Sequence, residues 1–355
     1  MTDEEETIPV RPGDELQIES LLAYLRQHLS GFPNGELRVR QYPTGASNLT
    51  YLLEVGSWQA VLRRPPRGPI PPKAHDMRRE SMLLEHIAPL FPLAPKPYLF
   101  CDDETVIGAP FYVMEHKRGF TVDDAFPPDV EVSEALCEAM CQAFVESFVA
   151  IHTLDYTAAG LEHFGHPHGF VQRQVQSWIE RYQRSKVEEH PYGERLCRWL
   201  SDHIPAQQPA ALIHNDYKVN NIVWDHNQPS KIVGILDWEM ATIGDPLFDL
   251  GVSLSYWFEQ GDPPELQAVQ PTVTSLPMFW SRRQIAQAYA VRSGRDLSDL
   301  PFYLTFGYFR LAVVLLQIYA RYLAGGASDD RFAAFGTRAR VLLNHAWETI
   351  QHAQL

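Results

Sequence analysis

Between residues 211 and 251, His214, Asp216 and Asn221 fall on the spacing H-x-D-x-x-x-x-N, and Asp237 closes the apolar run Lys231-Ile232-Val233-Gly234-Ile235-Leu236. That run predicts a buried strand with a carboxylate at its end, and Ala211-Leu212-Ile213 predicts a second short strand just before His214. One aspartate and one amide therefore sit in a loop between strands, and a second aspartate ends the next strand. Magnesium prefers hard oxygen ligands and usually keeps waters and substrate phosphates in its shell. Phosphoryl transfer asks a protein mainly for positioning and charge neutralisation: a carboxylate for the acceptor hydroxyl and oxygen ligands for the metal. Asp216, Asn221 and Asp237 supply those groups. A lone loop aspartate and asparagine would be ordinary turn residues, since both types bond to local backbone. The second strand-end aspartate and the downstream Gly244-Asp245-Pro246 weigh for chemistry.

These residues need elements to hold them. Residues 14–30 place Ile18, Leu21, Leu22, Leu25 and Leu29 at helical spacing, with Asp14 as the expected cap and Gly31 and Pro33 as the stop. Residues 37–62 alternate around a turn at 42–51 and predict a hairpin followed by a third strand. Residues 74–90 carry Met77, Leu83, Leu84 and Ile87 on one helical stripe, and residues 110–115 form an apolar strand. Beyond that the chain turns helical, with a long core helix expected from Ser133 to about Leu154 and shorter ones over 171–182 and 192–203. After the chemical stretch, residues 281–291, 301–323 and 331–352 predict an all-helical tail.

Composition sets further bounds. The 355 residues suffice for about two domains. With 44 acidic against 30 basic residues the net charge is −14, which disfavours nucleic acid and anionic membrane surfaces as partners. Residues 311–316 are apolar, but Arg310, Gln317 and Arg321 break any span, so a buried helix is expected and no membrane partner. Cys101, Cys137, Cys141 and Cys197 fit no metal spacing and are too few for a disulfide scaffold; core filling and a cytoplasmic location are expected. Met1-Thr2-Asp3-Glu4-Glu5-Glu6 has no apolar core and does not read as a secretory signal. His163, His166 and His168 lie in a Gly- and Pro-containing loop and read as exposed imidazoles. The six cations Arg63, Arg64, Arg67, Lys73, Arg78 and Arg79 read mostly as a solvated face.

The stretches His214-Asn215-Asp216-Tyr217-Lys218-Val219-Asn220-Asn221 and Ile235-Leu236-Asp237-Trp238-Glu239 resemble the kinase-like phosphotransferases, within them the aminoglycoside phosphotransferase-like small-molecule kinases. The resemblance implies a two-lobed α+β protein-kinase-like fold, with a small antiparallel-sheet lobe and a larger helical lobe. It implies an N-terminal helical extension over 1–35, a nucleotide-binding lobe over 36–115 and a catalytic, substrate-binding lobe over 116–355. Asp216 is then the catalytic-loop base with His214 beside it, Asn221 and Asp237 the magnesium ligands, and Asp249 a structural residue. Trp238 and Glu239, standing where protein kinases have Phe-Gly, favour the small-molecule branch. The turn with Gly45, Ser47 and Asn48 resembles the loop that covers the ATP phosphates.

Arg63 ends the third strand where protein kinases carry a lysine, with Glu80 as its implied ion-pair partner. Strand alternation lets only one of Arg63 and Arg64 face inward, and Arg63 is the expected phosphate contact. Glu115 and His116 mark the hinge whose backbone would meet adenine. The expected activity is ATP- and magnesium-dependent phosphorylation of a hydroxyl on a small molecule. Ser47-Asn48-Leu49-Thr50-Tyr51, Val61-Leu62-Arg63-Arg64-Pro65-Pro66, Ala74-His75-Asp76-Met77 and Gly294-Arg295-Asp296-Leu297 look most like the branch also found fused to acyl-CoA dehydrogenases, which points to a hydroxyacyl or acyl-CoA-type acceptor. No segment resembles a flavin domain. Residues 252–300 hold five acidic against four basic residues, no carboxylate-rich pocket for a polycationic drug, so an aminoglycoside or choline kinase is the weaker reading. The reading from another class is a catalytically silent nucleotide-binding or scaffold protein on the same fold.

Overall fold

The computed structural model describes residues 7–43, 48–66, 76–325 and 330–352. The chain divides into two compact units: Met1–Phe120 with Ile222–Gln228 and Ile232–Glu239, and Thr121–Asn221 with Pro229–Lys231 and Met240–Leu355. The division thus falls at residue 120 rather than 115, and the stretch around Asp237 belongs to the first unit. The N-terminal helix belongs there too.

The first unit is built on five antiparallel strands, β1 (Arg38–Gln41), β2 (Leu49–Val55), β3 (Trp58–Arg64), β4 (Pro97–Cys101) and β5 (Phe111–Glu115), in the order β1-β2-β3-β5-β4. One core packs α1 (Ile18–His28) on this sheet, with Leu21 and Leu25 meeting Tyr51, Leu53, Leu62 and Val113. Asp14 does not cap α1. The helix starts at Ile18 behind Gln17, and the Asp14 carboxylate instead accepts from Gln41 Nε2 at 3.0 Å while its carbonyl accepts from the Tyr51 hydroxyl at 2.8 Å. Asp14 ties the extension to the sheet. Helix α2 (Met77–Ile87) begins at Asp76, whose carboxylate takes the Arg79 N–H at 3.0 Å, a regular N-cap.

The second unit is helical: α3 (Glu134–Thr153), α4 (Phe170–Ser185), α5 (Gly193–Asp202), α6 (Pro246–Ser255), the short α7 (Pro264–Gln267), α8 (Arg282–Ser293), α9 (Leu300–Leu323) and α10 (Phe335–His352). Ser133 caps α3 as expected, and Ser281 and Gln284 form a capping box at α8. Strands β6 (Ala211–Ile213) and β9 (Thr242–Gly244) pair within this unit, while β7 (Ile222–Trp224) and β8 (Ile232–Ile235) form a hairpin within the first. Helices α6 and α9 cross with Gly251 against the Tyr303 backbone and Gly307 against the Gly251 carbonyl. A side chain at either position would collide with backbone. By length and composition α3 and α9 could span a membrane, but 56% and 72% of their most apolar windows are buried inside the protein. All four cysteines are free and buried, and His163, His166 and His168 are exposed in a loop.

Candidate active site

In the first unit the site residues gather around Arg63. Its Nη1 donates to Glu80 Oε1 at 2.5 Å and its Nη2 to Asp237 Oδ1 at 3.0 Å. The expected Arg63–Glu80 pair is therefore present, and it extends to the strand-end aspartate. Arg63 and Glu80 are both buried. Arg64 is equally buried and not solvated: alternation turns it the other way, where Nη1 donates to the Ile107 carbonyl at 3.0 Å. Arg79 is half-buried and donates to the Glu239 carbonyl at 3.1 Å. Of the described cations in that run only Arg78 is exposed.

Burial lowers the pKa of Arg63, but the charges of Glu80 and Asp237 outweigh it and hold the group well above its usual value. Burial pushes the Glu80 carboxyl up to about 7 from 4.5, with Arg63 pulling it down and Asp237 and Glu239 adding to the rise. A folded pKa above the unfolded one means the native state holds this proton more tightly. The resulting stabilisation is complete below about 4.5 and is lost as the pH climbs toward 7. Glu80→Gln should therefore gain stability relative to the parent protein as pH rises from 4.5 to 7. Denaturant midpoints across that window check this, and a pH-independent difference would contradict it.

Asp237 has a φ of 67°, in the left-handed region that only a few side chains accept readily. The next indole anchors it: Trp238 is buried, packs edge-on against Phe91, and donates Nε1–H to the Ile235 carbonyl at 2.8 Å. Gly45 and Ser47 lie outside the described residues. Asn48, the remaining member of that turn, is buried and donates Nδ2–H to Glu239 at 2.7 Å, a partner not foreseen from sequence. At the hinge the Glu115 N–H is already engaged by the Lys96 carbonyl at 2.7 Å, and the His116 ring is held by the Tyr42 hydroxyl and by Gln59 at 3.2 and 3.3 Å.

In the second unit, the loop after β6 is fixed from beneath by Asp249. Its two oxygens accept the His214 and Asn215 N–H groups at 2.6 and 2.8 Å, and His152 Nε2 lies 3.1 Å away with the Tyr289 hydroxyl on its other nitrogen. Asp249 is thus structural. Asn215 has a φ of 66°, and both guanidinium nitrogens of buried Arg310 reach its carbonyl at 3.0 and 3.1 Å. Strain of this kind persists where surrounding bonds over-determine it.

The loop presents Asp216, whose Oδ2 meets Lys218 Nζ at 2.9 Å and Asn221 Nδ2 at 3.0 Å. The His214 side chain is fully buried, and its Nδ1 accepts the Asp216 N–H at 3.3 Å. It shapes the loop. Lys218, which also lies 4.9 Å from the Tyr256 ring centroid, and Arg310 were not identified from sequence. A lysine two places after an aspartate in a loop carries no spacing signal of its own.

Asn221 spends its Nδ2 on the Asp216 carbonyl at 2.8 Å and carboxylate, which leaves Oδ1 as the amide's acceptor. That oxygen in the second unit, and separately the Asp237 carboxylate in the first, are each hard donors of the kind magnesium takes. Among the described residues no group of three or more His, Cys, Asp or Glu could hold a metal ion. An ion that completes its shell with substrate phosphates and water needs no such cage.

An antiparallel sheet with a buried Arg–Glu pair and a strand-end aspartate, together with a helical unit bearing the His-Asn-Asp loop, defines the class of kinase-like phosphotransferases. The chain belongs to the phosphotransferase enzyme family, whose profile matches residues 38–271. It is 35% identical over 343 residues to acyl-CoA dehydrogenase family member 11 of Rattus norvegicus, an overlap covering 94% of this chain and 43% of that protein. The chain thus spans less than half the length of that relative. A Ralstonia eutropha crystal structure with a provisional aminoglycoside phosphotransferase assignment superposes with a TM-score of 0.80 at 30% identity, covering 96% of this chain and all of the other. An aminoglycoside phosphotransferase crystallised with ADP and hygromycin B shares the fold, with a TM-score of 0.59 at 15% identity over 93% of this chain and 98% of its own.

Proposed function

We propose that this protein is an ATP- and magnesium-dependent kinase that phosphorylates a hydroxyl of a small molecule, of the hydroxyacyl or acyl-CoA type. The observation that carries the reading is the Asp216 carboxylate, held on one oxygen by Lys218 and Asn221 in a loop whose backbone Asp249 and Arg310 fix. Asp216 orients the acceptor hydroxyl and takes its proton as the oxygen bonds to the γ-phosphorus and the bond to the ADP oxygen breaks. Lys218 offsets negative charge beside the acceptor. Arg63, held by Glu80, presents a planar cation to the phosphates that stay on the nucleotide. Asn221 and Asp237 would hold magnesium, which when bound neutralises charge on the phosphate oxygens.

The acyl-type acceptor is supported by the names of the relatives and by the lack of an acid-rich stretch that would suit a polycation. Transfer of labelled γ-phosphate to a panel of hydroxyacyl-CoA thioesters, choline and aminoglycosides tests the reading. Labelling of a thioester by the parent protein and not by Asp216→Asn is the expected result, and labelling of none of the three classes would defeat it.

One observation favours the silent nucleotide-binding reading: Arg63, standing in place of a lysine, pairs with Asp237 itself. ATP hydrolysis that disappears in Asp216→Asn would exclude it.

A further inference from the structure

The second unit holds a cavity of about 640 Å³ between α4 and α9, lined by Arg181, Arg184 and Ser185 from one helix and Gln317, Ala320 and Arg321 from the other. Three of its six lining residues are arginines, in a chain of net charge −14 where cations have an excess of carboxylates to choose from. Among the described residues none of the three pairs with a carboxylate. Arg184 donates Nε–H to the Glu180 carbonyl of its own helix at 3.2 Å, and the Arg181 guanidinium lies over the Trp178 ring, 4.5 Å from its centroid. Arg184 and Arg321 are exposed, and alone they would be ordinary solvated side chains. Arg181 is different: it is half-buried, and burial followed by the charges of Arg310 and Arg184 lowers its pKa. An anion would relieve that repulsion.

Packed side chains connect the wall of the cavity to the chemical loop. The Trp178 ring also carries Arg310 at 5.3 Å, and Arg310 grips the carbonyl of Asn215, the neighbour of Asp216. Residues 317–321 lie on the order of 10–16 Å along α9 from Arg310, at 1.5 Å of rise per residue. An acceptor that reached both the arginines and Asp216 would have to be elongated. Its charged end meets planar, forked cations, whose geometry matches phosphate oxygens in pairs.

We propose that this cavity is a phosphate-binding subsite that seats the charged end of an elongated, phosphate-bearing acceptor. The assignment to the acceptor rests on the phosphotransferase reading, whereas the anion site stands on the arginines alone. A polycationic acceptor is repelled here.

The test is calorimetric titration of the full chain with coenzyme A and with inorganic pyrophosphate, each with ADP and magnesium saturating so that the nucleotide's own site is filled. The expected result is that both bind, coenzyme A more tightly, and that added salt weakens both. Charge reversal at the exposed pair, Arg184→Glu with Arg321→Glu, should weaken both by about tenfold or more, the loss of roughly one charge-assisted contact. Arg181→Gln is the milder second variant and should weaken both in the same direction. Unchanged affinity in both variants, with melting temperatures at the parent value, overturns the subsite. Equal affinity of the parent protein for coenzyme A and pyrophosphate overturns the elongated ligand. Failure of the parent protein to bind ADP instead overturns the phosphotransferase reading, and with it the acceptor assignment.

Discussion

Asp216→Asn lowers phosphoryl transfer by about 100- to 10,000-fold, the range for loss of a positioned general base, and leaves ADP affinity unchanged. The substitution keeps size and shape but removes the group that takes the hydroxyl proton. It also leaves Lys218 without the carboxylate now 2.9 Å away, and replaces one oxygen near Asn221 Nδ2 by an amide. Those losses fall on side chains only 16% and 21% exposed, so a melting temperature measured beside the kinetics separates lost stability from lost chemistry. Steady-state transfer beside ADP calorimetry checks both halves, and a variant with parental turnover would remove Asp216 from its role.

The second large effect falls on Asp237. Its φ of 67° tolerates asparagine but strains alanine. Asp237→Asn is therefore the variant that removes charge without disturbing backbone. It should abolish the magnesium-dependent part of nucleotide binding and lower kcat/KM beyond the roughly 10- to 100-fold typical of outer-sphere partners of a metal. Asp237→Ala adds a conformational cost of about 1–2 kcal/mol, visible as a lower denaturation midpoint than that of Asp237→Asn. Nucleotide titrations with and without magnesium decide the first point, and an enhancement by magnesium that survives in Asp237→Asn would strip Asp237 of its metal role.

The parts of this molecule legible in the sequence are those that local pattern controls. The apolar runs before His214 and Asp237 end in polar residues, so strand and catalytic loop could be read together. Ser133 announced α3 because a cap acts on the next three residues. What escaped depends on distance or on context. Asn48 and Glu239 meet across 191 positions, and nothing near either one announces the other. Arg64 looked solvated because a basic pair at a strand end gives no sign that both guanidiniums find buried acceptors. Strand β4 begins with proline, which argues against a strand, whereas β5 of the same length shows itself as an apolar run. Asp14 has the right type for a cap but stands too far ahead of Ile18, and the sheet claims it instead. The arginines of the α4–α9 cavity lie on polar helix faces where solvated cations are the rule. Their lack of carboxylates emerges only once the helices are paired.

The hairpin of β7 and β8 belongs to the first unit by its contacts, yet it is encoded more than a hundred residues after Phe120. Phe120 bridges Trp224, and the Ile235 N–H reaches the Leu93 carbonyl. During synthesis the first unit therefore emerges without two of its strands and without Asp237. Its Arg63–Glu80 pair waits, one partner short, until the part of the helical unit from Thr121 to Asn221 has already been made. A nucleotide-ready first unit is thus a late product of translation, and no single cut of the gene can release it whole.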